Sequence, residues 1–155
     1  VKENNAIAAA LAAANVMMRV AARSVVAVED MVTTPQLRIL MLISGSGPQS
    51  IGSVAAELNV HPSNATRPCE KLVQAGLIVR SPDRSDRRFV QLELTDRGAA
   101  LVDHVLSERR QAMAQVFEQL SPDEQAKVTD AFELFAIAAG SEPTHDGRFA
   151  FAVQP

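Results

Sequence analysis

The sequence predicts a mainly α-helical (α+β) fold, a set of helices with one small β-hairpin among them. Three observations carry that reading. Apolar residues recur every third or fourth position through most of the 155 residues. Val90-Gln91-Leu92-Glu93-Leu94 instead alternates apolar and polar, as a half-buried strand does, a few residues after the short run Leu77-Ile78-Val79-Arg80. Capping residues, prolines and glycines then divide the helical segments from one another.

The first thirty residues read as one long helix. Ile7, Leu11, Ala14, Met18, Ala21, Val25 and Val28 fall every third or fourth position, which is a heptad seam. Two readings of that stripe stand: a core stripe within the chain, or part of an interface with a second copy, with Ile7, Leu11, Met18 and Val25 as the dimer seam. Its alanine-rich start resembles the apolar stretch of a signal peptide. It lacks the basic lead region, and Arg19 and Arg23 continue the same pattern. No unbroken run of about 18 apolar residues is present, so no membrane partner is expected.

Thr33-Thr34-Pro35-Gln36 combines a cap, a first-turn proline and a capping-box glutamine, and starts a second helix. The residues that follow, LRILMLI, are apolar nearly all round, so this helix is expected to be buried. Gly45 to Gln49 ends it. Ser50 caps a short helix with Ile51, Val54, Ala55 and Leu58 inward, and Asn59-Val60-His61 makes a turn. The next helix starts at Pro62, runs to about Ala75 and stops at Gly76. Pro68 inside it is unexpected, because it removes a backbone donor. The two strands flank a tip, Ser81 to Phe89, longer than a hairpin needs. Thr95 caps a long helix to about Gln119, and Ser121-Pro122-Asp123-Glu124 starts the last one, which ends at Gly140. The tail from 141 to 155 has no clear period. It reads as disordered, or as an arm that lays Phe149 and Phe151 on a neighbour.

Charge separates one stretch from the rest. The net charge is −3. From His61 to Arg88, however, six lysines and arginines face three acids, leaving nine bases and fifteen acids elsewhere. A short helix, a turn, a second helix with polar and basic residues, and an arginine-rich hairpin together suit duplex DNA. On the second helix the candidates are Ser63, Asn64, Thr66, Arg67 and Lys71. Ser63 lies in the first turn, where amides and hydroxyls suit a phosphate. Asn64 and Arg67 are three apart on one face, and Asn can read adenine as Arg reads guanine. Glu70 can pair with Arg67 or Lys71. A merely solvated helix face is the alternative, as a flexible charged tip is for the hairpin.

Four segments in this order resemble the MarR family of bacterial transcriptional regulators: TPQLRIL from Thr34, VHPSNATR from Val60, KLVQAGLIVR from Lys71 and SDRRFVQLELTDRG from Ser85. The resemblance covers roughly Met17 to Gly140. It implies a winged helix-turn-helix with flanking N- and C-terminal dimerisation helices. The expected division is residues 1–33 for the first dimerisation helix, 34–98 for the DNA-binding lobe, 99–140 for the C-terminal dimerisation helices, and 141–155 for the tail, all one structural domain. It implies a homodimer on a pseudo-palindromic double-stranded operator, usually a repressor, often released by a small aromatic or phenolic anion. In the wing it points to Asp86, Arg87 and Arg88, with Arg87 entering the minor groove and Asp86 orienting an arginine; Arg84 is a further candidate for a phosphate. A regulator without an effector, and a winged-helix adaptor between proteins, are the alternatives.

Other chemistries find little support. Cys69 falls on the core side of its helix, excludes an internal disulfide, fits a reducing cytoplasm, and reads as a small buried hydrophobe rather than a thiol sensor. His61, His104 and His145 are too scattered for a zinc site. No phosphate loop, nucleophile elbow or metalloprotease motif is present, so neither enzyme activity nor a cofactor is expected.

Overall fold

A computed structural model describes residues 2–83, 86 and 88–140. The elements in order are α1 (Lys2–Val26), α2 (Thr34–Ser46), α3 (Ile51–Leu58), α4 (Pro62–Gln74), β1 (Ile78–Pro82), β2 (Val90–Leu94), α5 (Asp96–Phe117) and α6 (Pro122–Ala138). The described residues form two compact units, one of residues 25–106 and one of residues 2–24 and 107–140. The tail lies outside the described residues, and so do Arg84 and Arg87.

The unit of residues 25–106 holds the buried core. Thr33 caps α2 as the sequence predicts: its hydroxyl accepts from the Gln36 N–H, and the Thr33 N–H donates to Gln36 Oε1 at 2.8 Å. Ile39 and Leu40 of α2 are fully buried, with Val54 of α3, Leu72 of α4, Ile78 of β1 and Leu92 of β2. Each such side chain contributes about 1.5–3 kcal/mol by leaving water. Arg38 ties α2 to the end of α3, donating to the Glu57 carbonyl and, at 3.2 Å, to its carboxylate. The turn between α3 and α4 depends on Asn59, whose left-handed backbone (φ 55) turns the chain while its N–H donates to Ala55 and Ala56. Asparagine tolerates that conformation better than most residues.

The hairpin pairs β1 and β2 antiparallel, with Ile78 opposite Leu94 and Pro82 opposite Val90. A feature absent from the sequence reading is a bridge on the free edge of β2. There Gln49 and Leu92 exchange backbone bonds of 3.0 and 2.8 Å. The segment after α2, read above only as a helix end, thus also fastens the wing.

The start of α5 is locked to the end of α4. Thr95 Oγ1 donates to the Gly76 carbonyl at 2.7 Å and accepts from the Gly98 N–H at 3.1 Å. Arg97 donates to the Ala75 carbonyl at 3.1 Å. Gly76 has a positive φ of 68°, the helix-ending conformation that glycine adopts without strain. Gly98 is required by closeness: a Cβ there would sit 2.0 Å from the Leu77 carbonyl oxygen.

In the other unit, Arg109 of α5 is buried and donates through Nε to Ser24 Oγ at 2.8 Å, while Ser24 donates to the Ala21 carbonyl. Burial pushes the guanidinium pKa below its usual value. The helix α6 begins with the expected capping box, Ser121 with Glu124, yet buries no residue. Phe135 and Ile137 are exposed there.

The heptad seam is resolved by exposure. Ile7, Leu11 and Met18 are 59–61% exposed, so the stripe is not a core stripe of this chain. Only its end, Val25 and Val28, packs inward, Val28 fully. The helix stops at Val26, short of the expected thirtieth residue, and residues 27–31 form turns instead. The absence of an unbroken apolar run does not describe α1 fully. By length and composition Asn5–Val26 is apolar enough to cross a bilayer, a property hidden from a search for unbroken runs because Asn15, Arg19 and Arg23 interrupt it.

Candidate nucleic-acid interface

Helix α4 is amphipathic by construction. Ala65, Cys69 and Leu72 recur at helical spacing and are all fully buried. The predicted residues occupy the other side: Ser63, Asn64, Arg67 and Lys71 are exposed and Thr66 is half-buried. At about 100° per residue, Ser63, Asn64, Arg67 and Lys71 share roughly 100° of the helix surface, so one groove of a duplex can meet all four.

His61 is the cap. Its Nδ1 lies 2.9 Å from Ser63 Oγ and accepts from the Ser63 N–H, and its carbonyl accepts from Asn64 at 2.8 Å. Pro62 follows at the first helical position, where no donor is lost. Pro68 does not break the helix. Having no N–H, it leaves the Asn64 carbonyl without its usual donor four residues on. Its half-buried ring lines a groove of about 330 Å³ with Leu58, Val60, Asn64, Arg67 and Lys71. Pro68 therefore stands at the edge between the polar stripe and the core. Nothing further in the structure explains it.

Glu70 pairs neither with Arg67 nor with Lys71. Its carboxylate lies 3.8 Å from Arg80 of β1, an exposed pair between helix and wing. Arg67 and Lys71 have no carboxylate partner among the described residues. Such pairing is not visible from helix spacing, since Arg80 comes from beyond the turn. Cys69, buried, has its thiol pKa raised, chiefly by desolvation.

The described part of the wing tip is ordered by two aspartates. Asp83 accepts from the Asp86 N–H at 3.0 Å and from the Gln91 side chain. Asp86 accepts from the Arg88 N–H at 3.0 Å and from its guanidinium at 2.6–3.1 Å. These bonds to Arg88 hold the Asp86 carboxyl below its usual pKa. The Arg88 side chain is nonetheless 85% exposed, so it is aimed rather than hidden. Sequence reasoning foresaw an aspartate orienting an arginine; the arginine so held is Arg88. Arg84 and Arg87 lie outside the described residues.

Among the described residues no group of three metal-ligating side chains comes together. The arrangement is a polar and cationic helix face with an oriented arginine on the same unit.

Comparison with known proteins fits this geometry. The model of the MarR family matches residues 32–90. The chain is 31% identical over 111 residues to the HTH-type transcriptional repressor MdtR of Bacillus subtilis, a match covering 72% of each chain. The chain belongs to the MarR family. A solved structure of RV1404 from Mycobacterium tuberculosis superposes with a TM-score of 0.74 at 32% identity, covering 94% of this chain and 99% of that one. The transcriptional regulator Tm0710 from Thermotoga maritima, at 22% identity and a TM-score of 0.73, shares the fold over 90% of this chain and 96% of its own. The protein is thus a MarR-family winged-helix transcriptional regulator, and its relatives are named as regulators rather than enzymes.

Proposed function

We propose that this MarR-family regulator works as a homodimeric repressor in the cytoplasm. It binds a pseudo-palindromic operator through α4 and the wing of each protomer. One observation carries the reading: the exposed stripe of Ser63, Asn64, Arg67 and Lys71 stands on the same unit as an Asp86-oriented Arg88. In this reading α4 enters the major groove, where Asn64 and Arg67 meet base edges and Ser63, Thr66 and Lys71 meet phosphates. Arg87 enters the minor groove, and Arg88, which Asp86 holds, stands beside it in the chain. Arg84 adds a phosphate contact.

The dimer is formed by residues 1–33 and 99–140, and residues 34–98 are the DNA-binding lobe. Support comes from the exposed apolar residues that a lone chain leaves in water: Ile7, Leu11 and Met18 on α1, Phe135 and Ile137 on α6. Large exposed apolar side chains in such number suit an interface, and a second copy covering them accounts for α1 without a membrane. Two recognition helices then meet successive major grooves, roughly 10 bp apart. A small aromatic or phenolic anion that changes their spacing releases the operator.

Fluorescence anisotropy with the DNA upstream of the protein's own gene tests the reading. Saturable binding that weakens steeply with salt supports it; no binding at low salt sinks it and favours a protein–protein adaptor. Affinity unmoved by a panel of salicylate-like anions would remove the effector alone.

A further inference from the structure

Phe89 is the only Phe, Tyr or Trp between positions 25 and 106. An aromatic ring is among the largest apolar contributions a residue can make to a core, about 150–250 Å² when buried. Here the core is built without it, and Phe89 stands 63% exposed at the tip of the wing. Two neighbours share that exposure. Val90 lies two residues before the buried Leu92, hence on the same face of β2, yet is 55% exposed, and the exposed Pro82 is opposite it in the register. The hairpin thus carries apolar side chains past the end of the core it serves.

The backbone of Phe89 is fixed on both sides. Its N–H donates to the Asp86 carbonyl at 3.0 Å, and its carbonyl accepts from the Asp83 N–H at 2.9 Å. Asp86 is also the residue whose carboxylate holds Arg88, the residue before Phe89. One turn therefore presents a cation and an aromatic ring as consecutive side chains. Their chemistry names the occupant. Arg84, Arg87 and Arg88 all fall within five positions of Phe89, and the tip belongs to the DNA-binding lobe rather than to the segments assigned to the dimer. A second protein is a poor fit, since a standard interface buries roughly 800 Å² on each side, far more than one ring with Val90 and Pro82 supplies. The minor groove of a duplex is a good one. Its phosphates attract the arginines, and apolar side chains enter between its base steps and part them, most readily at flexible pyrimidine–purine steps.

We propose that Phe89 is a further DNA-contacting residue, an apolar wedge that enters the minor groove with the wing and partly unstacks a pyrimidine–purine step. The proposal rests on the operator-binding reading above and deepens it. Asn64 and Arg67 select bases by hydrogen bonds to their edges, whereas Phe89 selects a step by how easily it opens. The duplex kinks at that step, toward its major groove. Because the ring carries no charge, it displaces no counterion, so its share of the affinity does not depend on salt.

Binding-site selection from random duplexes tests it, with the full chain and its Phe89→Ala, Phe89→Leu and Arg88→Ala variants. The parent should enrich TA or CA/TG at one fixed position in each half-site, outside the segment read by α4. Phe89→Ala should lose that enrichment, keep the α4 segment, and bind the selected duplex roughly tenfold more weakly, the order found for stacked aromatics. Its slope of log affinity against log salt should match the parent's, whereas Arg88→Ala lowers the slope. Phe89→Leu, still able to act as a wedge, should regain most of the affinity. Unchanged affinity and step preference in Phe89→Ala would overturn the proposal and leave operator binding intact; a parent that selects no duplex would overturn both. A Phe89→Ala protein that melts lower and loses the α4 segment as well would overturn it by making the ring a structural part. A lighter assembly for Phe89→Ala in sedimentation, with its step preference kept, would overturn it in favour of a contact between copies.

Discussion

Replacing Gly98 by alanine tests the junction that fixes the end of α4. The new Cβ would lie 2.0 Å from the Leu77 carbonyl oxygen, 3.0 Å from its carbon and 3.2 Å from Leu94 Cδ2. A carbon and a carbonyl oxygen ordinarily approach to about 3.3 Å, so α5 and Leu77 must separate by roughly 1.3 Å. Two of the three obstructing atoms are backbone and cannot rotate aside. The Leu77 oxygen also accepts from the Thr95 N–H at 3.1 Å, a bond the shift would stretch. Overpacking of this kind costs about 1–3 kcal/mol, and contact with backbone favours the upper end. Against it stands about 1 kcal/mol from replacing a helical glycine. The net is about 2 kcal/mol of destabilisation, or a fall in Tm of about 4–8 °C for a chain of this size. Gly52→Ala in α3 is the control. There a Cβ meets only Ser50 Oγ, at 3.5 Å, so the helix gain of about 0.5–1 kcal/mol stands alone and Tm rises by about 1–4 °C. Thermal melts followed by circular dichroism, at one fixed protein concentration because dimer stability depends on it, read both. Operator affinity should also fall for Gly98→Ala below its melting range, because Leu77 directly follows the Gly76 that ends α4. A Gly98→Ala protein that melts at or above the parent would refute the reasoning.

Four further outcomes follow from the same geometry. Arg88→Ala weakens operator binding and lowers the slope of log affinity against log salt by about 0.9 if one phosphate-type contact is lost; unchanged affinity and slope would show that the wing does not engage. Asp86 has its carboxyl pKa lowered by Arg88, so its stabilisation is complete above the unfolded carboxylate value and lost only as pH falls through the lower folded one. An NMR titration should therefore place its midpoint below that of an ordinary aspartate, and a midpoint at or above that value would contradict the pairing. Leu11→Glu with Met18→Glu should lighten the assembly in sedimentation while leaving helix content intact; an unaltered mass would move the interface to α6. Cys69, buried and with its thiol pKa raised, should react with a thiol reagent far more slowly in the native protein than in urea, and equal rates would place the thiol at the surface.

What the sequence made legible was mostly local. Thr33 with Gln36, Ser121 with Glu124 and Pro62 after His61 each place a capping partner within three residues, and the bonds formed are those the motifs specify. The polar stripe of α4 was legible for a related reason: a period of 3.6 residues divides thirteen residues into a buried and an exposed face. Partners beyond the next turn were not legible. The Gln49–Leu92 bridge joins residues more than forty positions apart, and Glu70 finds Arg80 across a glycine turn. The end of α1 shows the same limit in another form. The heptad pattern runs on through Val28 with no glycine or proline to stop it, yet Val28 serves the core of residues 25–106 and the helix has already ended.

That helix also explains why apolar pattern alone underdetermines function. Its alanine-rich composition satisfies a bilayer, a heptad partner and an intrachain core equally well, because each asks only for apolar surface. Exposure separates them by face. The seam of Ile7, Leu11 and Met18 is left in water, whereas the opposite face turns Val16 and Val20 toward α5 and keeps Arg19 and Arg23 at its edge. A membrane would surround both faces and leave two arginines to be accommodated within the span, at a cost of about 2.5–3.5 kcal/mol each at its centre. A second copy needs only the seam. The placement of two charges on one face, rather than the amount of apolar surface, thus favours a protein partner for this helix.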